Sequence, residues 1–357
     1  MNKILFIVGP ALGHVGRSFE VARALAKSTS NEIIFICIRL DGAKIIIPDF
    51  FPYYKLSTED YGGKRFADKL EGLVSQLNPG LICLDMTPIP WLVNIRFPKI
   101  PLVYLTNFFL TNVCQYKTRQ NQFFSKSEIT INKSRQQRGL MPIQDIKSLY
   151  SKDAVLLCDP PGLINSTVSR LPENYHAVGP CAWEPEFNLP EELEELVDLL
   201  FISFGSTGSR PFSRRRAEEI AGAVNAKTII WVGKEQGHHN EQKGSKEHIV
   251  YPFLPVSKLL SRSRFVVTHG GAGSTYQAVI NGCPTGVWPN HINQELLGRV
   301  LQNYGCGLIL NDGVESNMTR LKNILPDIQS KSRAISEGLN EVNGPLNAAN
   351  IIIDMMG

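Results

Sequence analysis

The feature of this sequence that most constrains its fold is a repeated order of apolar run, glycine-containing turn and helical spacing. Ile4–Val8 is followed by the loop Gly9–Gly16 and by apolar residues at helical spacing in Ser18–Lys27. Leu199–Phe204 is followed in the same way by the turn Gly205–Gly208. Uniformly apolar runs of this length are typical of strands buried on both faces, and a strand–helix–strand crossover makes its strands parallel. The chain is therefore predicted to be an α/β protein built on parallel sheets.

The same pattern occurs in both halves of the chain. The predicted strands are Ile33–Ile38, Leu81–Leu84, Leu102–Leu105, Ala154–Leu157, Thr228–Val232, Ile249–Tyr251, Phe265–Thr268, Thr285–Trp288 and Gly307–Leu310, and the other predicted helices are Phe66–Gln76 and Arg214–Val224. Residues 106–150 contain no clear strand and are predicted to form loops and helices.

The segment 184–196, rich in Pro and Glu, is the best candidate for a linker. The 357 residues suffice for two domains. We expect an N-terminal domain at 1–180, a C-terminal domain at 181–340 and a final helix within 341–357 that packs back on the first domain.

Composition and charge exclude several classes of protein. No stretch approaches the roughly 18 consecutive apolar residues that span a bilayer, and the first apolar run is shorter than the about 7–15 residues of a signal-peptide core. The seven cysteines are scattered without a C-x-x-C pair, which is typical of buried thiols in a reducing compartment and predicts a cytoplasmic protein. A net charge of +4 is too small to indicate a nucleic-acid binder.

Two residues at the ends of predicted N-terminal strands are candidates for acid–base chemistry. His14, next to Gly13, follows the first strand, and Asp85 follows the strand Leu81–Leu84. Parallel strands direct their carboxyl ends to one edge of the sheet, where ligands bind. A neutral histidine accepts a proton there, and a carboxylate on its ring fixes the tautomer. The alternatives are a histidine that only bonds the loop and an aspartate that only caps a helix.

The C-terminal half contains a candidate site for an anion. His269-Gly270-Gly271-Ala272-Gly273-Ser274 joins a strand to a helix, and the backbone N–H groups at a helix N-terminus bind phosphate. Ser206 and Thr207, in a similar turn, are expected to add donors. The alternative is a tight turn that needs glycine only for its shape. There is neither a P-loop motif nor a D-x-D pair, so no metal site is predicted, and the first glycine loop does not match G-x-G-x-x-G.

The motifs of both halves together resemble one enzyme family. The run from Phe253 to Gly307 is similar to the donor-binding signature of inverting, nucleotide-sugar-dependent glycosyltransferases with the GT-B fold, the group that includes the UDP-glycosyltransferases and the macrolide-type natural-product glycosyltransferases. The motifs that carry the resemblance are Gly13-His14-Val15-Gly16, the strand that ends at Asp85, Val178-Gly179-Pro180, Phe253-Leu254-Pro255, His269–Ser274, Gly282-Cys283-Pro284, Trp288-Pro289 and Asn293-Gln294.

This resemblance implies a fold of two Rossmann-like domains facing across a cleft, and a role for each motif. His14 would be the general base that deprotonates an acceptor hydroxyl, and Asp85 would orient it. The donor, a UDP- or dTDP-sugar, would be a co-substrate, with no cofactor and no metal. The residues expected to bind it are Gly13, Ser206, Thr207, Phe253, Val256, His269, Gly271, Gly273, Ser274, Gln277, Asn293 and Gln294.

Three residues depart from the family pattern. Gln277 stands where a Glu often holds the ribose hydroxyls, which makes a deoxyribose (dTDP) donor compatible. Asn293 stands where an Asp usually contacts the sugar, so the identity of the sugar stays open. Arg17 stands where Pro is common, and we expect it to be a surface residue rather than a ligand of an acidic acceptor.

The expected partners are the donor and a hydroxylated small-molecule acceptor, and the chain is expected to be a monomer or a homodimer. A lipid-linked acceptor is an alternative, with a weak membrane-surface contact through Arg210 and Arg214–Arg216. A nucleotide-sugar 2-epimerase of the same fold and a non-catalytic binding module also remain open.

Overall fold

The structure, a computed structural model, divides the chain into two units. It describes residues 2–38, 50–57, 63–86, 91–114, 129–143, 148–149, 152–166, 168–205, 211–233, 246–311 and 314–357, the last without the side chains of 314–317. Unit 1 is Met1–Trp183 together with Val342–Gly357, and unit 2 is Glu184–Glu341. The first change of unit thus falls three residues after the predicted boundary at 180 and at the start of the Pro- and Glu-rich segment.

Unit 1 is built on a parallel sheet of seven strands. Its strands are β1 Lys3–Val8, β2 Glu32–Ile38, β3 Tyr53–Leu56, β4 Leu81–Asp85, β5 Leu102–Thr106, β6 Ala154–Leu157 and β7 Tyr175–Ala177, in the spatial order β3-β2-β1-β4-β5-β6-β7. Its helical segments are α1 Leu12–Ser28, α2 Lys64–Leu77, a 3-10 turn Phe108–Leu110, α3 at 129–137, α4 Pro161–Asn165 and, from the end of the chain, α11 Gly344–Asp354.

Unit 2 is built on a parallel sheet of six strands. These are β8 Leu199–Ser203, β9 Thr228–Val232, β10 Glu247–Tyr251, β11 Ser263–Thr268, β12 Thr285–Val287 and β13 Gly307–Ile309, in the order β10-β9-β8-β11-β12-β13. Its helices are α5 Glu191–Glu194, α6 Arg214–Val224, α7 Ser257–Leu260, α8 Ala272–Ile280, α9 Ile292–Tyr304 and α10 Val314–Glu337. The predicted α/β class, with two Rossmann-like domains, is confirmed.

The apolar runs are strands because both faces of each sheet are covered. Phe6 and Phe35 stack in the core on one face of the first sheet, whereas Leu5 and Ile7 lie in the core on the other face. Ala348 of α11 joins the same core as Phe6, so the C-terminal helix packs on unit 1. Burial of these side chains at about 25 cal/mol per Å² is the main stabilising term of each unit.

The first helix begins earlier than predicted. The sequence pattern predicts a loop over Gly9–Gly16 and a helix from Ser18, but α1 starts at Leu12 and contains Gly13 and Gly16. A Cβ at Gly16 would lie 2.8 Å from the Cβ of Trp183, so glycine is needed there for close packing rather than for a loop. His14 consequently lies in the first turn of a helix.

Candidate functional site

The two central strands of unit 1 carry its site. The strand order reverses between β1 and β4, and ligands of open α/β sheets bind at the carboxyl ends of strands at such a switch point. Val8 and Asp85, the last residues of the two strands, are register partners, and the amide of Gly9 donates to the carbonyl of Asp85 at 2.9 Å. The first turn of α1 therefore lies directly over the end of β4.

This arrangement brings His14 and Asp85 together. The Nδ1 atom of His14 lies 2.6 Å from Oδ1 of Asp85, and the His14 side chain is 25% exposed. An ionised carboxylate only accepts hydrogen bonds, so Nδ1 carries the proton. In the neutral ring the lone pair is then on Nε2, which is the arrangement that a general base requires.

The Asp85 side chain is fully buried and ionised. Burial alone would raise the pKa of Asp85, but the charge and hydrogen bonds of Arg17, together with His14, hold it below its ordinary value. Ser18 Oγ also donates to Oδ2 at 2.9 Å. The carboxylate thus accepts hydrogen bonds from three side chains of α1.

The expectation that Arg17 is a surface residue is wrong. Arg17 is 8% exposed, and its Nε donates to Oδ2 of Asp85 at 2.8 Å while its Nη2 donates to Oδ1. Arg17 lies three residues after His14, so it is on the same face of α1 and reaches the same carboxylate. The sequence contains no local signal for this pair, because its members are 68 residues apart.

Two further buried polar residues extend the cluster. Arg17 Nη1 donates to Oδ1 of Asn107 at 2.9 Å, and Asn107 Nδ2 donates to Oδ1 of Asp159 at 3.0 Å. Asp159 Oδ2 in turn accepts from the amide of Phe108 at 2.8 Å. Neither Asn107 nor Asp159 is singled out by sequence motifs, although each closely follows a strand of the sheet.

The corresponding switch point in unit 2 lies between β8 and β11. Their last residues, Ser203 and Thr268, are register partners, and the glycine-rich turn follows Thr268. Gly270 has φ +87°, and its amide donates to Thr268 Oγ1 at 3.0 Å. The turn is therefore pinned to the end of β11. Ser206 and Thr207, predicted to contribute from the facing turn, lie outside the described residues.

His269 is held tightly between two glycines. A Cβ at Gly271 would lie 2.5 Å from Nε2 of His269, and a Cβ at Gly205 would lie 2.6 Å from its Cε1. Burial lowers the pKa of His269 to about 4, and the neighbouring His291 acts in the same direction. The ring is neutral at pH 7, and its buried Nδ1 has no hydrogen-bond partner within the described parts of the chain.

The predicted anion-binding residues open helix α8. Gly271 is its N-cap and supplies no side-chain cap, and its first turn contains no acidic residue. Gly273 is exposed and Ser274 partly exposed, whereas Gln277 follows one turn later and is partly exposed. The positive end of the helix dipole at this turn is therefore not neutralised by a carboxylate of α8.

The predicted sugar-binding residues Asn293 and Gln294 open helix α9. Gln294 is 3% exposed, and its Oε1 accepts from the amide of Asn290 at 2.7 Å. A Cβ at Gly270 would lie 2.7 Å from the backbone carbonyl oxygen of Gln294. The Gln294 backbone thus lies against the glycine-rich turn, and its side-chain oxygen is bonded to the loop before α9. Asn293 is partly exposed.

The predicted nucleobase residues lie on the loop before α7. Phe253 and Val256 are both partly exposed. The ring of Phe253 lies 6.2 Å from the ring of Phe187, measured between centroids, and Phe187 is 50% exposed. Glu184 Oε1 accepts from the amide of Ser257 at 2.7 Å, so the linker segment is attached to this loop. Phe187 is a neighbour of the predicted base site that sequence motifs do not reveal.

Only part of the arginine cluster at the start of α6 is exposed to solvent. Arg215 is 88% exposed and pairs with Glu219, whereas the Arg216 guanidinium lies 4.4 Å from the centroid of Trp288. Arg210 lies outside the described residues. Within the described chain, no helix has the length and apolarity to cross a membrane, and no group of three or more His, Cys, Asp or Glu side chains is placed to hold a metal ion.

Comparison with known proteins finds relatives of this chain both in sequence and in fold. Residues 219–344 match the family model "Erythromycin biosynthesis protein CIII-like, C-terminal domain". A PGL/p-HBAD biosynthesis glycosyltransferase of Mycobacterium tuberculosis (strain ATCC 25177 / H37Ra) is 24% identical over 96% of this chain and 89% of its own length.

Among solved structures, the fold is similar to that of the spinosyn forosaminyltransferase SpnP, with a TM-score of 0.74, 16% identity, and 99% and 98% of the two chains covered. It is also similar to the glycosyltransferase VinC in complex with dTDP, with a TM-score of 0.68, 14% identity, and 99% of each chain covered.

The chain is a glycosyltransferase with the GT-B fold. It is an enzyme that depends on a nucleotide-sugar donor.

Proposed function

We propose that this enzyme transfers a sugar from a UDP- or dTDP-sugar to a hydroxyl group of a small molecule, with inversion at the anomeric carbon. Unit 1 supplies the base, and unit 2 holds the donor. The observation that carries the proposal is the 2.6 Å contact between His14 Nδ1 and Asp85 Oδ1, because it leaves the lone pair of the neutral imidazole on Nε2.

The reaction is a single displacement. Nε2 of His14 takes the proton of the acceptor hydroxyl, and the oxygen forms a bond to the anomeric carbon. The bond from that carbon to the nucleoside diphosphate breaks on the opposite face, and the diphosphate leaves with the electron pair. Asp85 stabilises the imidazolium that forms, and general-base assistance of this kind contributes about 10²–10⁴-fold.

The leaving diphosphate is the anion that the start of α8 is suited to stabilise. Backbone N–H groups and the positive helix end at Ala272–Ser274 favour negative charge. The neutral His269 donates one N–H, and Ser274 adds a hydroxyl. Because these donors are fixed before the reaction, they stabilise charge that develops as the bond breaks. In this proposal they perform the neutralisation that a metal ion performs in other transferases.

The nucleoside is held by the remaining predicted residues. Phe253 provides an aromatic face for the base, with Phe187 beside it, and the Val256 backbone contacts the base edge. Gln277 faces the ribose, where an amide pairs with fewer hydroxyls than a carboxylate would. This supports dTDP as well as UDP, and VinC, whose fold is similar, has dTDP bound in its solved structure. Asn293 and Gln294 are assigned to the sugar.

A binding screen followed by a product analysis tests the proposal. Thermal-shift measurements with UDP, dTDP, ADP and GDP should show stabilisation by the first two nucleotides. Transfer from UDP-glucose and dTDP-glucose to the model phenol 4-methylumbelliferone is then followed by chromatography, and the anomeric coupling constant of the product is measured by NMR. An α-linked donor should yield a β-linked product. Retained configuration would contradict the single displacement, and absence of nucleotide binding would contradict the donor assignment.

A further inference from the structure

Arg17 occupies an unusual place for a charged side chain beside a general base. Arg17 is 8% exposed, and its guanidinium donates to Asp85, to Asn107 and to the carbonyl of Leu105. The two bonds to Asp85, from Nε to Oδ2 and from Nη2 to Oδ1, form the parallel fork that a guanidinium makes with a carboxylate. Burial would lower the pKa of Arg17, but the charge and hydrogen bonds of Asp85, together with Cys158 and Cys181, raise it, so the guanidinium stays charged.

The fork holds the same carboxylate that is bonded to His14. Both oxygens of Asp85 are engaged, with Oδ1 shared between His14 and Arg17 and Oδ2 shared between Arg17 and Ser18. Asn107 holds the outer end of the guanidinium and is itself held by Asp159. Rotation of the carboxylate would break several buried hydrogen bonds at once and would leave charged groups unsatisfied, so its orientation is fixed.

We propose that Arg17 is a positioning residue that acts on His14 through Asp85. It keeps the carboxylate ionised and aligned with Nδ1. Its positive charge also opposes proton uptake by the His14–Asp85 pair, so that the imidazole of His14 stays neutral down to a lower pH. The proposal rests on the proposed function in so far as His14 is the base, but its test needs neither donor nor acceptor.

Removing the Arg17 charge shifts the titration midpoint of the pair in the same direction whichever member binds the proton. Taking up one proton changes the pair from a net charge of −1 to 0, either on the imidazole or on the carboxylate. A positive charge within a few ångströms opposes both routes, so removing it makes uptake easier in either case. The pair titrates as a unit, and its observed midpoint must move to higher pH.

The other titratable groups around the pair do not reproduce this charge. Asp159 lies beyond Asn107, on the far side of the guanidinium. Cys83 and Cys181 are buried nearby. Burial raises the pKa of Cys83, and the hydrogen bond of the Cys181 thiol to Cys158, together with burial, raises the pKa of Cys181, so both thiols are neutral. Of the described cationic side chains, only Arg17 is bonded to Asp85 besides His14.

Histidine NMR provides the test. The protein is labelled with ¹³C,¹⁵N-histidine, and the signal of His14 among the seven histidines is identified by its loss in His14→Asn. The pH titration of that signal is compared between the wild type, Arg17→Gln, which removes the charge, and Arg17→Lys, which keeps it.

The midpoint should rise by about 1–3 pH units in Arg17→Gln, the usual effect of one nearby charge, and by much less in Arg17→Lys. A folded Arg17→Gln protein with the wild-type midpoint would overturn the proposal, because a purely structural role would leave the titration unchanged. If Arg17→Gln does not fold, Asp85→Asn is compared with Arg17→Gln/Asp85→Asn, which contains neither buried charge. The double variant should titrate at the higher pH, and equal midpoints would overturn the proposal. Failure of nucleotide binding or transfer would instead affect the proposed function alone.

Discussion

Replacing Asp85 by asparagine should destabilise unit 1 strongly. The Asp85 side chain is fully buried and is the counter-charge of Arg17, so Asp85→Asn leaves a guanidinium buried without an anion beside it. Breaking a buried pair by removing one partner costs about 3–5 kcal/mol. For a unit of this size, a loss of that order lowers the melting temperature by roughly 10 °C.

Asp68→Asn is the matched control. Asp68 also belongs to unit 1 and pairs with an arginine, Arg138, at 2.8 Å, but its side chain is 55% exposed, and Arg138 keeps a second partner in Glu71. An exposed pair of this kind contributes about 0–1 kcal/mol. Urea unfolding and scanning calorimetry on both variants measure the contrast. If Asp85→Asn shifts the transition no more than Asp68→Asn does, the buried pair is not a main stabilising contact and the reasoning is refuted.

The pH dependence of the stability difference between wild type and Asp85→Asn provides a second check. Because the pKa of Asp85 is held below its ordinary value, its contribution is fully present above the unfolded-state pKa of about 3.9 and is lost only as the pH falls towards the folded-state value. The difference in the free energy of unfolding between wild type and Asp85→Asn should therefore not shrink between pH 7 and about pH 4, and it should shrink below that. A difference that already shrinks between pH 7 and pH 5 would show that Asp85 is not held ionised in the folded protein.

Two further predictions concern the donor site. Gly271→Ala should weaken nucleotide binding by about tenfold, the loss of one hydrogen bond to a charged group, because the added methyl group would lie 2.5 Å from Nε2 of His269 and displace the ring. Gly222→Ala in the same unit, where an added Cβ meets nothing within 4 Å beyond its own helix backbone and chain neighbours, should leave binding unchanged. Calorimetric titration with UDP and dTDP measures both, and equal affinities of the two variants would contradict the assignment of His269. Gln277→Glu should increase the affinity for UDP relative to dTDP, because a carboxylate accepts from both ribose hydroxyls; an unchanged ratio would place Gln277 away from the ribose.

Much of the fold could be predicted because its strands are short apolar runs buried on both faces. β6 and β9 have the predicted bounds, whereas β3 and β7 were not predicted, since Tyr53–Leu56 and Tyr175–Ala177 are short and partly exposed edge strands. The predicted start of α1 is too late because Gly13 and Gly16 are typical of a loop. Gly16 is instead required by its close packing against Trp183, which the local sequence does not reveal.

Only the residues of the candidate site that lie in local sequence motifs could be predicted. His14 follows β1 and Asp85 ends β4, and strand ends meet at one sheet edge, so their contact is predictable from topology. The burial of Arg17 is not, because it depends on Asp85 and on Asn107, which lie 68 and 90 residues away in the chain. A charged side chain one turn after a candidate base is expected in solvent unless the tertiary structure places an anion beside it.

Transfer by His14→Ala is the measurement that tests the central claim most directly. With UDP-glucose or dTDP-glucose and 4-methylumbelliferone, turnover by His14→Ala should fall by about 10²–10⁴-fold, while calorimetric titration shows wild-type affinity for the nucleotide. A loss of this size without a loss of donor binding is the result expected if His14 removes the proton of the acceptor. Turnover equal to that of the wild type would contradict the assignment of His14 as the base, and with it the single-displacement mechanism built on the His14–Asp85 pair.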